Sequence, residues 1–154
     1  EINHSCNLTC SYCPNASHKR IETGEMERSL FIKLLNQLKD INYEGLVSFH
    51  FYNEPLLCSQ LDEFTILLKQ ILPKTRLQIY SNGLFLNYER TTELMELGVD
   101  YFCITKHENM KEKYVFEKTL EKLDAKNLLP EMVQVGNETN IMILQKDEKS
   151  NPMN

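Results

Sequence analysis

No stretch of this sequence approaches the roughly 20 consecutive apolar residues that a membrane-spanning helix needs. The longest runs are a few residues, broken by Lys, Asp or Asn. A basic excess is lacking as well. With 17 Lys and Arg against 22 Asp and Glu, the formal net charge is -5, which offers no cationic footprint to nucleic acid or an anionic membrane. Repeats, low-complexity tracts and linker-like composition are also missing, so the 154 residues are expected to form one domain, 1–154, around one core. There is no initiator Met and no leader of the signal type. Glu1-Ile2-Asn3 reads as the middle of a strand, and the polar segment from Lys146 to Asn154 brings no helix or strand to close the domain. These features lead to the expectation of an excerpt from a longer chain.

Chemistry enters with the cysteines. There are five, an odd number, and three fall in Cys6-Asn7-Leu8-Thr9-Cys10-Ser11-Tyr12-Cys13. That spacing is poor for a disulfide framework and good for wrapping one inorganic centre, which points to a reducing, cytoplasmic setting. Soft thiolates select zinc or iron–sulfur clusters. A structural zinc site asks for a fourth protein ligand, for which His4 or His18 is the candidate; a non-catalytic zinc-binding or redox-sensing domain would follow. A four-iron cluster on three cysteines leaves one iron open to an exogenous chelating molecule. Cys103, inside an apolar strand, reads as a small core residue, and Cys58, beside a helix start, as a boundary cysteine whose thiol pKa a helix start could lower.

The hydrophobic pattern alternates strands and helices. Leu30, Leu34, Leu35, Leu38 and Ile41 recur at helical spacing behind Ser29 as N-cap. Leu46 to Tyr52 reads as a buried strand ending at Asn53-Glu54-Pro55. Ser59 and Asp62 suggest a capping box for a helix that Pro73 stops, and Arg76 to Tyr80 the next strand, broken at Ser81-Asn82-Gly83. A helix from about Asn87, closed by Gly98, leads to a strand over Val99 to Thr105. A further helix, Met110 to Ala125, presents Lys and Glu as a solvated face, and a short strand, Glu131 to Val135, follows. Strands separated by helices of this length imply a parallel sheet, either doubly wound or part of a (β/α) barrel.

Three segments, each placed after an expected strand, carry a resemblance. The cysteine spacing with Tyr12 and Cys13-Pro14-Asn15, the Phe51-Tyr52-Asn53-Glu54-Pro55-Leu56-Leu57 segment and the Tyr80-Ser81-Asn82-Gly83 turn resemble the cluster loop, the Gly-Gly-Glu-Pro segment and the Thr-Asn-Gly turn of the radical S-adenosylmethionine (SAM) superfamily. The resemblance runs from Ile2 to about Val135 and implies a truncated, partial (β/α) barrel with parallel strands. It further implies a [4Fe-4S] cluster on Cys6, Cys10 and Cys13. SAM would chelate the open iron, with its amine near Asn53 and Glu54, its ribose or carboxylate near Ser81 and Asn82, and its adenine beside Tyr12. Thr105 and His107, at the end of the fourth strand, are further candidate contacts, with an unengaged strand-to-helix loop as the alternative. The implied activity is reductive cleavage of SAM to a 5′-deoxyadenosyl radical that abstracts hydrogen from a peptide, protein, sugar or alcohol. The implied reductant is an electron donor such as flavodoxin or ferredoxin. The Asn-Glu-Pro-Leu-Leu form looks most like the branch that carries a C-terminal SPASM extension. Where the family has two glycines this chain has Tyr52 and Asn53, and the expected bend falls on Asn53, because Asn tolerates left-handed backbone.

Overall fold

The computed structural model describes residues 1–18, 24–106, 118–119, 121–123, 133–135 and 140–145. Three strands, β1 (Leu46–Phe49), β2 (Arg76–Ser81) and β3 (Tyr101–Lys106), are parallel neighbours, with Phe49 opposite Ile79 and Ile79 opposite Phe102. The helices are α1 (Pro14–Ser17), α2 (Arg28–Asp40), α3 (Leu61–Ile71) and α4 (Tyr88–Leu97). Side chains alternate across the strands. Val47, Phe49, Leu77, Ile79, Phe102 and Ile104 therefore share the face that packs against the helices. Ser48, His50, Gln78, Tyr80, Cys103 and Thr105 take the opposite face by the same alternation.

Phe31 sets the rotation of α2. Its ring stacks on Phe64 of α3 at 4.2 Å and meets Phe49 edge-on at 6.0 Å. Such contacts add about 1 kcal/mol each to the burial of a large ring. Phe31 and Leu35 are buried, whereas Leu30, Leu34 and Ile41 of the expected apolar stripe are exposed. Leu35 and Leu38 of the expected stripe do face the core, with Phe31 completing that face in place of Leu30, Leu34 and Ile41. Ser29 is not the cap: α2 starts two residues earlier than that cap implies, at Arg28 behind Glu27. Nor does Ser59 cap α3, which begins at Leu61. The Ser59 hydroxyl and amide instead both donate to Glu25, at 2.6 Å each.

Two boundary expectations hold. Asn87 caps α4 by accepting from the Arg90 amide at 2.8 Å, and Gly98 closes it at φ 115°. A Cβ at Gly98 would also lie 2.7 Å from Lys69 Cγ. Lys69 is itself held, donating to Asp100 at 2.5 Å and to the Thr75 carbonyl at 2.9 Å. Gly98→Ala is thus expected to lower unfolding stability by about 1–3 kcal/mol, read as a lower urea midpoint.

Other expectations change. Glu1-Ile2-Asn3 is not a strand: Asn3 and Glu25 form an isolated antiparallel bridge, while Ile2 sits in the core. β1 is an edge with Leu46 exposed, not a fully buried strand. The sheet order is β1-β2-β3-β5-β4, in which β4 (Val133–Val135) and β5 (Asn140–Gln145) join antiparallel to each other and β5 antiparallel to β3. The three-stranded parallel α/β core is as expected, but the strand near 131–135 does not continue it in parallel. Of the helix expected over Met110 to Ala125, residues 118–119 and 121–123 are described and helical, with the Thr119 hydroxyl donating to the Leu86 carbonyl at 2.8 Å. The rest, including its charged face, lies outside the described residues. Among those described, no helix is long and apolar enough to cross a membrane.

Candidate functional site

In a parallel α/β sheet the loops after the strands gather at the carboxyl edge. Here the loops after β1 and β2 meet the cysteine loop from the amino end. The Glu54 amide donates to the Ser5 carbonyl at 2.8 Å, and Asn3 Nδ2 donates to the Glu54 carbonyl at 3.1 Å. Asn53 Nδ2 donates to Asn3 Oδ1 at 2.7 Å, and Asn82 Nδ2 to Asn7 Oδ1 at 2.8 Å. On the far side of the loop, Asn15 Nδ2 donates to the Tyr52 carbonyl at 2.6 Å. The Cys13-Pro14-Asn15 run is explained by this: Cys13 is the N-cap of α1, Pro14 starts the helix, and Asn15 fastens it to the β1 loop.

Glu54 is the hub. It is 1% exposed. Its Oε1 accepts from the Ser81 hydroxyl at 2.8 Å and from the Leu56 amide at 3.3 Å, and its Oε2 accepts from the Asn82 amide at 2.9 Å. Ser81 Oγ also accepts from the Gly83 amide at 2.9 Å, and Asn82 Oδ1 from the Leu84 amide at 3.1 Å, which sets the turn. Burial raises the Glu54 carboxyl above the ordinary 4.5, against the hydrogen bonds from Asn82, Ser81 and Leu56. A raised acid holds its proton more tightly in the folded chain than in the unfolded one. Its contribution to stability is therefore complete below the unfolded pKa and is lost as pH rises through the folded value. Stability of the wild type should accordingly fall more steeply from pH 4.5 toward neutrality than that of Glu54→Gln, as read from urea midpoints across that range; parallel slopes would refute the assignment.

A cleft of about 140 Å³ opens beside this hub, bounded by Cys6, Asn53, Glu54, Ser81 and Asn82. His50, Phe51, Tyr80 and Thr105 complete it. A larger depression of about 560 Å³ lies along the outer side of α4 and shares no residue with the motifs. The structure thus gathers Cys6, Asn53, Glu54, Ser81, Asn82 and Thr105. Tyr12 stands 69% exposed, outside the cleft lining, and His107 lies outside the described residues. His50, Phe51 and Tyr80 were not singled out from sequence as site residues. Strand alternation could have found two of them, since His50 and Tyr80 follow Ser48 and Gln78 by two on the face away from the helices. Their rings pack at 4.0 Å, and burial lowers the His50 pKa and raises that of Tyr80.

The donor set suits a soft, cationic centre. Cys6, Cys10 and Cys13 are all free thiols, and the Cys13 amide donates to the Cys10 carbonyl at 2.9 Å, turning the loop. Burial raises the Cys6 thiol above its ordinary value; charge at Glu54, Cys10 and Cys13 pushes the same way, against the Leu8 amide. Metal ligation relieves that repulsion. Among the described residues no three His, Cys, Asp or Glu side chains, the three loop cysteines included, stand close enough to grip a single metal ion. Asn53 Oδ1 is a buried acceptor with no partner among the described residues, an environment that asks for an N–H donor. Backbone strain falls on Phe51, at φ 145°, and not on Asn53 as expected. Cys103 is buried, as expected, and sits opposite Tyr80 of the neighbouring strand. Cys58 is buried too, its thiol pushed up to about 11 by desolvation and not lowered.

The chain is similar to known proteins along most of its length. The profile of the Radical SAM superfamily matches residues 1–144. Over 114 residues the chain is 46% identical to the S-adenosyl-L-methionine-dependent 2-deoxy-scyllo-inosamine dehydrogenase of Niallia circulans, covering 74% of this chain and 46% of that protein. Over 107 residues it is 32% identical to the tungsten-containing aldehyde ferredoxin oxidoreductase cofactor-modifying protein of Pyrococcus furiosus, covering 68% and 29%. The chain therefore spans half or less of the length of these relatives. The crystal structure of BtrN in complex with AdoMet and 2-DOIA matches with a TM-score of 0.76 at 42% identity, over 83% of this chain and 51% of that one. An open conformation of BtrN matches with a TM-score of 0.66 at the same identity, over 74% and 51%.

Proposed function

Because the chain belongs to the Radical SAM superfamily, whose members use a [4Fe-4S] cluster and S-adenosylmethionine, we propose that it is the core of an oxidoreductase and that Cys6, Cys10 and Cys13 are the three cluster ligands. When bound, these cofactors supply one-electron cleavage of the sulfonium, giving methionine and a 5′-deoxyadenosyl radical that takes hydrogen from a substrate C–H bond. The protein's own part is positional. Glu54 holds the Ser81 hydroxyl and the Asn82 amide at the cleft edge. Asn53 Oδ1 offers the unmatched acceptor to the methionyl amine, and Ser81 and Asn82 stand where the ribose or carboxylate would lie. Thr105 contributes a hydroxyl to the cleft wall. The carrying observation is that one buried residue, Glu54, ties the three motif segments at a single cleft: its carboxylate accepts from Ser81 and Asn82, and its amide donates to the Ser5 carbonyl next to Cys6.

The substrate assignment follows the relative of 46% identity, named a 2-deoxy-scyllo-inosamine dehydrogenase. A saturated, hydroxylated amino ring is oxidised at one carbinol carbon, with an electron donor such as flavodoxin or ferredoxin as reductant. A cytoplasmic setting, residues 1–154 as one core domain, and a SPASM-type extension in the full-length protein complete the proposal. The test is anaerobic incubation of the reconstituted full-length enzyme with SAM, reductant and 2-deoxy-scyllo-inosamine. Equal amounts of ketone and 5′-deoxyadenosine are expected. 5′-Deoxyadenosine without ketone would move the substrate elsewhere within the family, and absence of both would retire the reading.

A further inference from the structure

We infer that Phe51 is a specificity-determining residue whose ring forms the wall of the cleft on which one C–H face of a saturated, hydroxylated ring substrate lies. The inference rests on the function proposed above and deepens it. Its starting point is a cost. Phe51 has φ 145°, a backbone conformation that suits glycine and that strains a residue with a Cβ. The residue does not repay that strain by packing, since it is 62% exposed and lies outside the apolar core. A bulky side chain kept in a glycine conformation at the surface calls for a role outside the fold.

Its surroundings specify the role. The Phe51 ring packs on Tyr52 at 4.2 Å and stands edge-on to His50 at 6.3 Å, while His50 packs on Tyr80 at 4.0 Å. Phe51 thus begins an aromatic wall continuous with the sheet face that looks away from the helices. The same cleft carries hydrogen-bonding groups on His50, Tyr80 and Thr105. An aromatic wall above polar groups matches a molecule that is apolar on its faces and polar around its edge. A saturated ring bearing hydroxyls and an amine is such a molecule: its C–H face covers the electron-rich ring, and an ammonium adds cation–π attraction. A peptide side chain would need no such division, and a planar base would leave the ring-edge donors unmatched.

Strain and recognition predict opposite effects of one substitution. In reconstituted full-length enzyme, Phe51→Gly should raise the thermal midpoint by about 2–5 °C, because strain relief exceeds the entropy glycine adds to the unfolded chain. The same variant should bind 2-deoxy-scyllo-inosamine about tenfold more weakly in the presence of SAM, measured by titration calorimetry, with SAM affinity itself unchanged within about twofold. Phe51→Leu, which keeps bulk without the ring, should lose affinity without gaining stability. Unchanged ring-substrate affinity in Phe51→Gly, or a midpoint that fails to rise, overturns this inference while leaving the proposed function standing. A tenfold loss of SAM affinity would reassign the ring to the cofactor and also overturn it. If the wild type neither binds nor oxidises the amino ring, the proposed substrate fails, and the role of Phe51 fails with it.

Discussion

Replacing Cys6, Cys10 or Cys13 singly by Ala lowers iron bound after anaerobic reconstitution from about four per chain to background, because three thiolates are the minimum that holds a four-iron cluster with one open site. Their loop is tied to the rest of the fold by protein hydrogen bonds: the Ser5 carbonyl accepts from the Glu54 amide, Asn82 donates to Asn7, and Asn15 donates to the Tyr52 carbonyl. The alanine variants should therefore stay folded, with far-ultraviolet circular dichroism close to wild type. Cys103→Ala is the control. Its side chain is buried on β3 opposite Tyr80, so its loss should cost about 1–2 kcal/mol of stability and leave iron content intact. An empty site in Cys103→Ala together with a full one in Cys10→Ala would reverse the ligand assignment.

The second large effect belongs to Glu54. Glu54→Ala removes the acceptor shared by the Ser81 hydroxyl and the Asn82 and Leu56 amides. Ser81 and Asn82 are buried, and a buried donor left unmatched costs about 1–3 kcal/mol. A total loss of about 3–5 kcal/mol in unfolding stability is expected, with the Asn7–Asn82 tie loosened and SAM affinity reduced at least tenfold. Denaturant titration of the cluster-free chain separates the two effects from cofactor loading, since the stability loss must appear there too. A Glu54→Ala chain as stable as wild type would show that the carboxylate is not the hub described.

What was legible in the sequence was the chemistry with fixed spacing. Glu54 and Ser81-Asn82 closely follow the ends of β1 and β2, and parallel topology carries strand ends to one edge, so their meeting follows from local pattern; the cysteine loop follows no strand and is joined to them by the ties of Asn3, Ser5 and Asn7. Asn87 and Gly98 were legible for the same reason, as caps act within one turn. The rotation of α2 was not, because Phe31 is chosen by a partner on α3, 33 residues away in Phe64. Ser59 read as a cap because its competitor, Glu25, is brought to it only by the fold. The strain on Phe51 instead of Asn53 was also hidden: both follow β1, and which of them turns is set by the ties of Asn53 to Asn3 and of Glu54 to Ser5. The antiparallel placement of β4 and β5 depends on pairing with β3, which hydrophobic period does not encode.

The central claim, that three cysteines hold a four-iron cluster with an open site beside Glu54, is tested most directly by electron paramagnetic resonance of the reduced, reconstituted full-length protein with and without SAM, alongside iron and zinc counts. About four irons per chain and a signal whose g-values shift on adding SAM are the predicted result. One tightly bound zinc, or a cluster signal indifferent to SAM, would contradict it.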